Sequence, residues 1–107
     1  MAKAKWDTKT TQYLLKTILS LENISEAKKF FRDLLTEQEI CEFGKRWQTA
    51  QMLSQKIPYS QIEKKTGLSS TTVARISRWL NRGTGGYKLI LKRLNHHNNP
   101  SFGKRLC

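Results

Sequence analysis

Hydroxyl and guanidinium side chains recur over residues 69–82, in the sequence SSTTVARISRWLNR. Thr71, Arg75, Arg78 and Arg82 are spaced three or four residues apart, so a helix would carry them along one face. Hydroxyl groups can hydrogen-bond to the edges of DNA bases, and arginines can bind phosphates. The pattern therefore favours a nucleic acid as the binding partner.

The preceding residues predict a second, shorter helix, a turn at Gly67 and thus a helix-turn-helix over residues 59–82. Four apolar residues stand where such a unit needs them to lock its two helices together: Ile62, Leu68, Val73 and Ile76. Glu63 occupies a position where a small residue is usual, so its side chain must bend outward to water. In a helix-turn-helix the second helix enters the major groove of DNA.

This geometry predicts two sets of DNA contacts. Base contacts are expected from the start of the second helix and from the helix before it: Gln61, Ser70, Thr71 and Thr72. Phosphate contacts are expected from the cations and from the helix N-terminus: Lys64, Lys65, Ser69, Arg75, Arg78 and Arg82. The alternatives are that the hydroxyls serve as helix caps and that the arginines are merely solvated. Trp79 is expected to be a packing residue rather than a platform on which bases stack.

The charge of the chain is concentrated in the same region. The formal net charge is +12 over 107 residues, and residues 59–107 carry ten cations against Glu63 as the sole anion. A basic surface that serves solubility is the alternative, but the excess coincides with the helix-turn-helix pattern. A polyanionic partner is the interpretation that explains both observations.

The apolar periodicity predicts an all-α fold of about six helices. Residues 1–7 are expected to be frayed, and helices are expected over 8–21, from a cap at Ser25, over 37–55 and from a capping box at Ser60. A glycine break precedes a C-terminal helix within residues 83–94, and residues 95–107 are expected to form a disordered basic tail. The hydrophobic fraction of 37% gives one chain a thin core, which dimerisation would supplement.

Several functional classes lack support in the sequence. No apolar run reaches the roughly 20 residues of a spanning helix, and the N-terminus lacks the apolar block of a secretory signal. No catalytic set or metal spacing stands out, and His96 and His97 are interpreted as tail residues. We therefore expect a cytoplasmic protein that is not an enzyme and that has no cofactor, no metal and no membrane partner.

The segments LLTEQEICEFGKRWQTAQML and YSQIEKKTGLSSTTVARISRWLNRG resemble the Trp repressor (TrpR) superfamily, and within it the TrpR-like YerC/YecD branch. The resemblance covers about residues 10–94. It implies an intertwined helical homodimer in which residues 8–58 form the dimerisation scaffold. It also implies that the two recognition helices enter successive major grooves, roughly 34 Å apart.

The resemblance also implies where a tryptophan corepressor would bind. The two arginines that embrace the ligand correspond to Arg46 and Arg75, and the pocket threonine corresponds to Thr36. Ile76 replaces a glycine that gives the indole room, and Trp79 replaces a small serine. We therefore expect a vestigial pocket, filled by the protein's own side chains, and no tryptophan binding.

These observations together predict a homodimeric, sequence-specific DNA-binding transcriptional regulator of bacteria, acting as a repressor on double-stranded DNA. The alternatives are a sensor that responds to another small-molecule effector and a non-specific nucleic-acid-binding protein. A third is a module whose helix-turn-helix contacts another protein.

Overall fold

The computed structural model describes residues 4–95, which form six α-helices and no strand. The helices are α1 (Lys9–Leu19), α2 (Ile24–Leu34), α3 (Glu37–Ser54), α4 (Tyr59–Thr66), α5 (Ser70–Arg82) and α6 (Gly86–Asn95). The predicted all-α fold of about six helices is confirmed. Of the predicted frayed start, residues 1–3 lie outside the described residues. The part of the predicted basic tail that follows Asn95, which includes His96 and His97, also lies outside them.

The chain divides into two compact units, Met1–Glu37 and Gln38–Cys107. The first unit contains α1 and α2, and no residue of either helix is buried. Large apolar side chains on these helices are exposed, among them Tyr13, Leu19 and Ile24. The described part of the first unit therefore presents apolar surface without a buried core of its own.

The second unit has a core that its four helices share. Ala50 and Met52 of α3 pack with Ile62 of α4, with Leu68 of the turn, and with Val73 and Ile76 of α5. Four of these six side chains are completely buried: Ala50, Ile62, Val73 and Ile76. Partly buried apolar residues surround this core: Trp47, Leu53, Ile57 and Tyr87. The C-terminal part of α3 is thus part of the same packed body as the helix-turn-helix.

Two of the predicted helix starts are wrong. The N-cap of α2 is Asn23 rather than Ser25, because the Asn23 amide oxygen accepts a hydrogen bond from the Glu26 N–H at 2.9 Å. The Glu26 carboxylate in turn accepts from the Glu22 N–H at 3.0 Å, which fixes the first turn. At α4 the capping residue is Pro58 rather than Ser60, because the Pro58 carbonyl already accepts from the Ile62 N–H at 3.1 Å.

The end of α3 is closed by backbone hydrogen bonds. The Ile57 N–H donates to the Met52 carbonyl at 3.1 Å, and the Lys56 N–H donates to the Leu53 carbonyl at 3.0 Å. These two bonds define a Schellman motif, which requires a left-handed residue at the position that Lys56 occupies with φ 64°. The motif ends α3 just before Pro58 and sends the chain into α4.

Gly67 and Lys56 form a matched pair for testing this backbone geometry. Both have a positive φ, 76° at Gly67 and 64° at Lys56, and no atom would lie within 4 Å of a Cβ at position 67. Gly67→Ala is therefore expected to lower the free energy of unfolding by about 1 kcal/mol through backbone strain alone. Lys56→Gly should not destabilise, because glycine adopts the same conformation without strain. Urea denaturation of both variants checks the pair, and an equal loss in both would contradict this explanation.

Candidate nucleic-acid interface

The turn between α4 and α5 is built around Thr66 and Gly67. The buried Thr66 hydroxyl donates to the Ile62 carbonyl at 2.8 Å and accepts from the Leu68 N–H at 3.2 Å. The Gly67 N–H donates to the Glu63 carbonyl at 2.8 Å, and its left-handed φ ends α4. Leu68 then turns into the core, so α5 begins in a direction fixed by both hydrogen bonds and packing. The Glu63 side chain is half-buried.

α5 has one buried face and one exposed face. Val73, Ile76 and Leu80 are its buried residues, spaced as one helical face requires. On the opposite side Thr71, Arg75, Arg78 and Arg82 are all exposed. The structure therefore brings together the row of residues for which the sequence predicts DNA contacts, and it leaves that row open to solvent.

The start of α5 separates the predicted hydroxyl contacts into two pairs. The Ser69 hydroxyl accepts from the Thr72 N–H at 3.2 Å and lies 3.0 Å from the Thr72 hydroxyl, so these two residues cap the helix. Thr72 is half-buried, whereas Ser70 and Thr71 are exposed. The exposed pair stands at the positive end of the helix dipole, where a phosphate or a base edge can approach.

Two cations end the helix that precedes this turn. Lys64 and Lys65 lie in the last turn of α4, and both are exposed, as is Gln61 one turn earlier. Among the described residues, ion pairs join Arg32 to Glu37 and Arg46 to Glu42, each at 3.6 Å, and none of them involves a cation of α4 or α5. The cations of the helix-turn-helix are thus available to an external anion.

Sequence reasoning missed Ala74 as part of this surface. Ala74 is exposed and follows Thr71 by three residues and precedes Arg78 by four, so it lies between them on the outer face. Its side chain is small, and a small residue lets a helix approach a base pair closely. Its spacing from Thr71 places Ala74 on the outer face, but an alanine has no polar group that would indicate a DNA contact.

The residues of the implied corepressor pocket have different surroundings. Ile76 is completely buried in the core, whereas Trp79 is 41% exposed. The Arg46 Nε is buried, and its distance of 3.6 Å to the Glu42 carboxylate is too long for a hydrogen bond. Thr36 belongs to the first compact unit, and the other pocket positions belong to the second.

Trp79 borders an open apolar groove of about 630 Å³, together with Trp47, Gly83, Tyr87 and Ile90. Tyr87 stacks on Trp47 with the ring centroids 6.0 Å apart. Burial raises the pKa of the Tyr87 phenol above its ordinary value, and the nearby Arg46 charge opposes that rise. Trp79 therefore lines a groove rather than filling an enclosed pocket, while Ile76 is part of the core.

Two further observations concern metal binding and membrane spanning by the described residues. No group of three or more histidine, cysteine, aspartate or glutamate side chains between residues 4 and 95 could hold a metal ion. None of the helices in that range is long and apolar enough to cross a bilayer.

The geometry of α4 and α5 defines a helix-turn-helix protein. Comparison with known proteins identifies its family. Residues 9–95 match the family model described as Trp repressor protein. The chain is 36% identical over 96 residues to the protein YerC of Bacillus subtilis (strain 168), covering 90% of this chain and 92% of YerC.

Two solved structures are similar to the fold. One is a TrpR-like protein from Eubacterium eligens ATCC 27750, with a TM-score of 0.83, 37% identity, and coverage of 89% of this chain and 98% of that one. The other is a candidate Trp repressor from Staphylococcus aureus, with a TM-score of 0.81, 35% identity, and coverage of 91% of this chain and 100% of that one. The protein belongs to the Trp repressor family, a family of DNA-binding transcription regulators.

Proposed function

We propose that this protein is a homodimeric, sequence-specific DNA-binding repressor that works without tryptophan as a corepressor. The observation that carries the proposal is the exposed face of α5, which combines hydroxyl groups at its start with an uninterrupted row of arginines. Membership of the Trp repressor family supports the same function. Such a face can form hydrogen bonds with bases while its cations bind the phosphates on either side.

The exposure pattern refines the proposed roles. Ser70 and Thr71, which are exposed, are proposed to contact bases with Gln61, and Thr72 would add its methyl group from a half-buried position. Ser69 would act through the helix N-terminus that it caps, because its hydroxyl is already bonded to Thr72. The phosphate contacts are assigned to the exposed cations: Lys64, Lys65, Arg75, Arg78 and Arg82.

The homodimer is proposed from the apolar surface of the first unit. α1 and α2 bury none of their residues in one chain, and Leu19 is 83% exposed. Exposed apolar surface of this kind marks an interaction site, and a second copy of the scaffold, residues 8–58, could cover it. Analytical ultracentrifugation at micromolar concentration should give twice the monomer mass.

Selection of bound sequences from a randomised duplex pool tests the specificity. We expect a two-fold symmetric site whose half-sites are about one helical turn apart, because two α5 helices would enter successive major grooves. Competition between the selected site and random duplex at a stated salt concentration then gives the specificity ratio. Equal affinity for both would favour the alternative of a non-specific nucleic-acid-binding protein, and no binding to either would favour a protein-interaction module.

The absence of a tryptophan corepressor is proposed from the burial of Ile76, whose side chain is part of the core where the family resemblance implies a glycine. An indole ring cannot occupy the same volume. Titration calorimetry with L-tryptophan should therefore give no binding heat at millimolar ligand. A micromolar dissociation constant would contradict this part of the proposal while leaving the DNA-binding part intact.

A further inference from the structure

A second groove lies on the flank of α5 that carries Ser77 and Asn81, and its volume is about 720 Å³. Its walls come from the end of α3, the α3–α4 connection, α5 and α6, all in the second compact unit. Trp79, Gly83 and Tyr87, which line the first groove, do not line this one. The volume falls within the range of about 300–1,000 Å³ that small-molecule sites occupy.

The groove combines apolar surface with positive charge. Leu53, Ile57, Leu80 and Leu91 contribute apolar surface, and the last two are 8% exposed. Three lysines also line the groove, Lys56, Lys88 and Lys92, and all three are exposed. No acidic side chain of the described residues lines it, so the lysine charges are not neutralised within the groove.

We propose that this groove, here called the lysine groove, binds a small amphipathic anion: an apolar body that carries a carboxylate, sulfonate or phosphate group. The apolar body would cover Leu53 and Leu80, and the anionic group would lie among the lysine ammonium groups. A nucleic-acid backbone offers little apolar surface to these leucines, and a protein partner needs roughly 800 Å² of surface, more than such a groove offers. The charge and the apolar lining are explained together by an amphipathic small molecule.

The position of the lysine groove gives such a ligand a means to act on α5. A molecule bound there contacts both the α3–α4 connection, which precedes the helix-turn-helix, and α5 itself. Its binding would favour one position of α5 relative to α3, and a change in duplex affinity would follow. This consequence rests on the proposed function, whereas binding to the groove can be measured without DNA.

The test uses 8-anilinonaphthalene-1-sulfonate as the anionic probe and N-phenyl-1-naphthylamine, the same ring system without the sulfonate, as its neutral control. In ¹H–¹⁵N correlation spectra of the full chain, the sulfonate should shift the backbone amides of Ser77, Asn81 and Lys88. The double variant Lys88→Gln/Lys92→Gln should bind the sulfonate about tenfold more weakly. Its binding of the neutral control should not change.

The matched control variant is Lys28→Gln/Lys29→Gln, which removes two exposed lysines of α2 and should leave sulfonate binding unchanged. Shifts at Trp79, Gly83 and Tyr87 instead would overturn the proposal in favour of the first groove. Equal sulfonate affinity in the Lys88→Gln/Lys92→Gln variant, or no saturable binding, would also overturn it. A loss of duplex affinity in that variant with unchanged sulfonate binding would assign the lysines to DNA.

Discussion

Ile76→Ala is expected to lower the free energy of unfolding by about 2–5 kcal/mol. The Ile76 side chain is completely buried, and it packs in the cluster that joins α3, α4 and α5. Truncation to alanine removes apolar surface from the core and leaves a cavity that the surrounding helices fill only in part. Urea denaturation followed by circular dichroism measures the loss, at one protein concentration because association would add to stability.

Arg75→Ala is the matched control for this prediction. Arg75 is the preceding residue on the same helix, it is exposed, and no ion pair among the described residues involves it. Its replacement should change the free energy of unfolding by less than about 0.5 kcal/mol. A loss below about 1 kcal/mol for Ile76→Ala would mean that position 76 does not belong to the core.

The same variant separates two explanations for the expected lack of tryptophan binding. If Ile76 alone excludes the indole, Ile76→Ala should gain measurable tryptophan affinity. If Trp79 also excludes the ligand, the variant should lose stability and gain no affinity. Titration calorimetry on the Ile76→Ala protein, at a temperature where it is folded, distinguishes the two.

Apolar spacing predicted the core of the second unit well. Ile62, Leu68, Val73 and Ile76 occupy the positions that a helix-turn-helix needs for packing, and all four are buried. This works because burial of an amphipathic helix depends on the period of its apolar residues, which the sequence contains. A turn was likewise predicted at Gly67, and its left-handed φ of 76° ends α4.

Local capping was harder to predict, because several residues near a helix start can compete for the same N–H groups. Ser25 and Ser60 are good capping residues in isolation, yet Asn23 and Pro58 precede α2 and α4. At α2 the carboxylate of Glu26 decides the outcome by accepting from the Glu22 N–H. Which residue caps the helix depends on which side chain can reach the free N–H groups in three dimensions. The four-residue pattern of a capping box does not contain that information.

The glycine-rich segment after α5 has a steric role that composition did not indicate. Glycines over residues 83–86 predicted a flexible break before α6. A Cβ at Gly83 would collide with the backbone carbonyl of Trp79, the same carbonyl to which the Gly83 N–H donates. Close approach of the backbone therefore explains a glycine at position 83.

The lysine groove could not be predicted from the sequence at all. Its residues come from three separate stretches of chain between Leu53 and Asn95, and each lysine alone is an ordinary exposed cation. What distinguishes them is that packing of α5 against α6 places them around one apolar surface. That information exists only once the helices have been positioned.

The triple variant Lys64→Gln/Lys65→Gln/Arg78→Gln is expected to have the largest effect on DNA binding. Counterion release predicts that the slope of log affinity against log salt falls by about 0.9 for each phosphate that the variant no longer neutralises, and so by about 2.7 for each protomer. The three residues are exposed on α4 and α5 and have no ion-pair partner among the described residues. At 0.15 M salt the affinity should fall by roughly a hundredfold for each protomer, equally for selected and random duplex.

The matched control removes the same number of positive charges from the first unit, as Lys16→Gln/Lys28→Gln/Lys29→Gln. These lysines are exposed on α1 and α2, so the net charge changes equally while the proposed DNA contacts of α4 and α5 are all kept. If the control lowered the salt slope as much, the affinity would depend on the general field of a basic protein rather than on binding at α4 and α5. If the triple variant bound only the selected site more weakly, these cations would determine sequence preference. In that case the residues proposed to contact bases, Gln61, Ser70, Thr71 and Thr72, would not be the sole source of specificity.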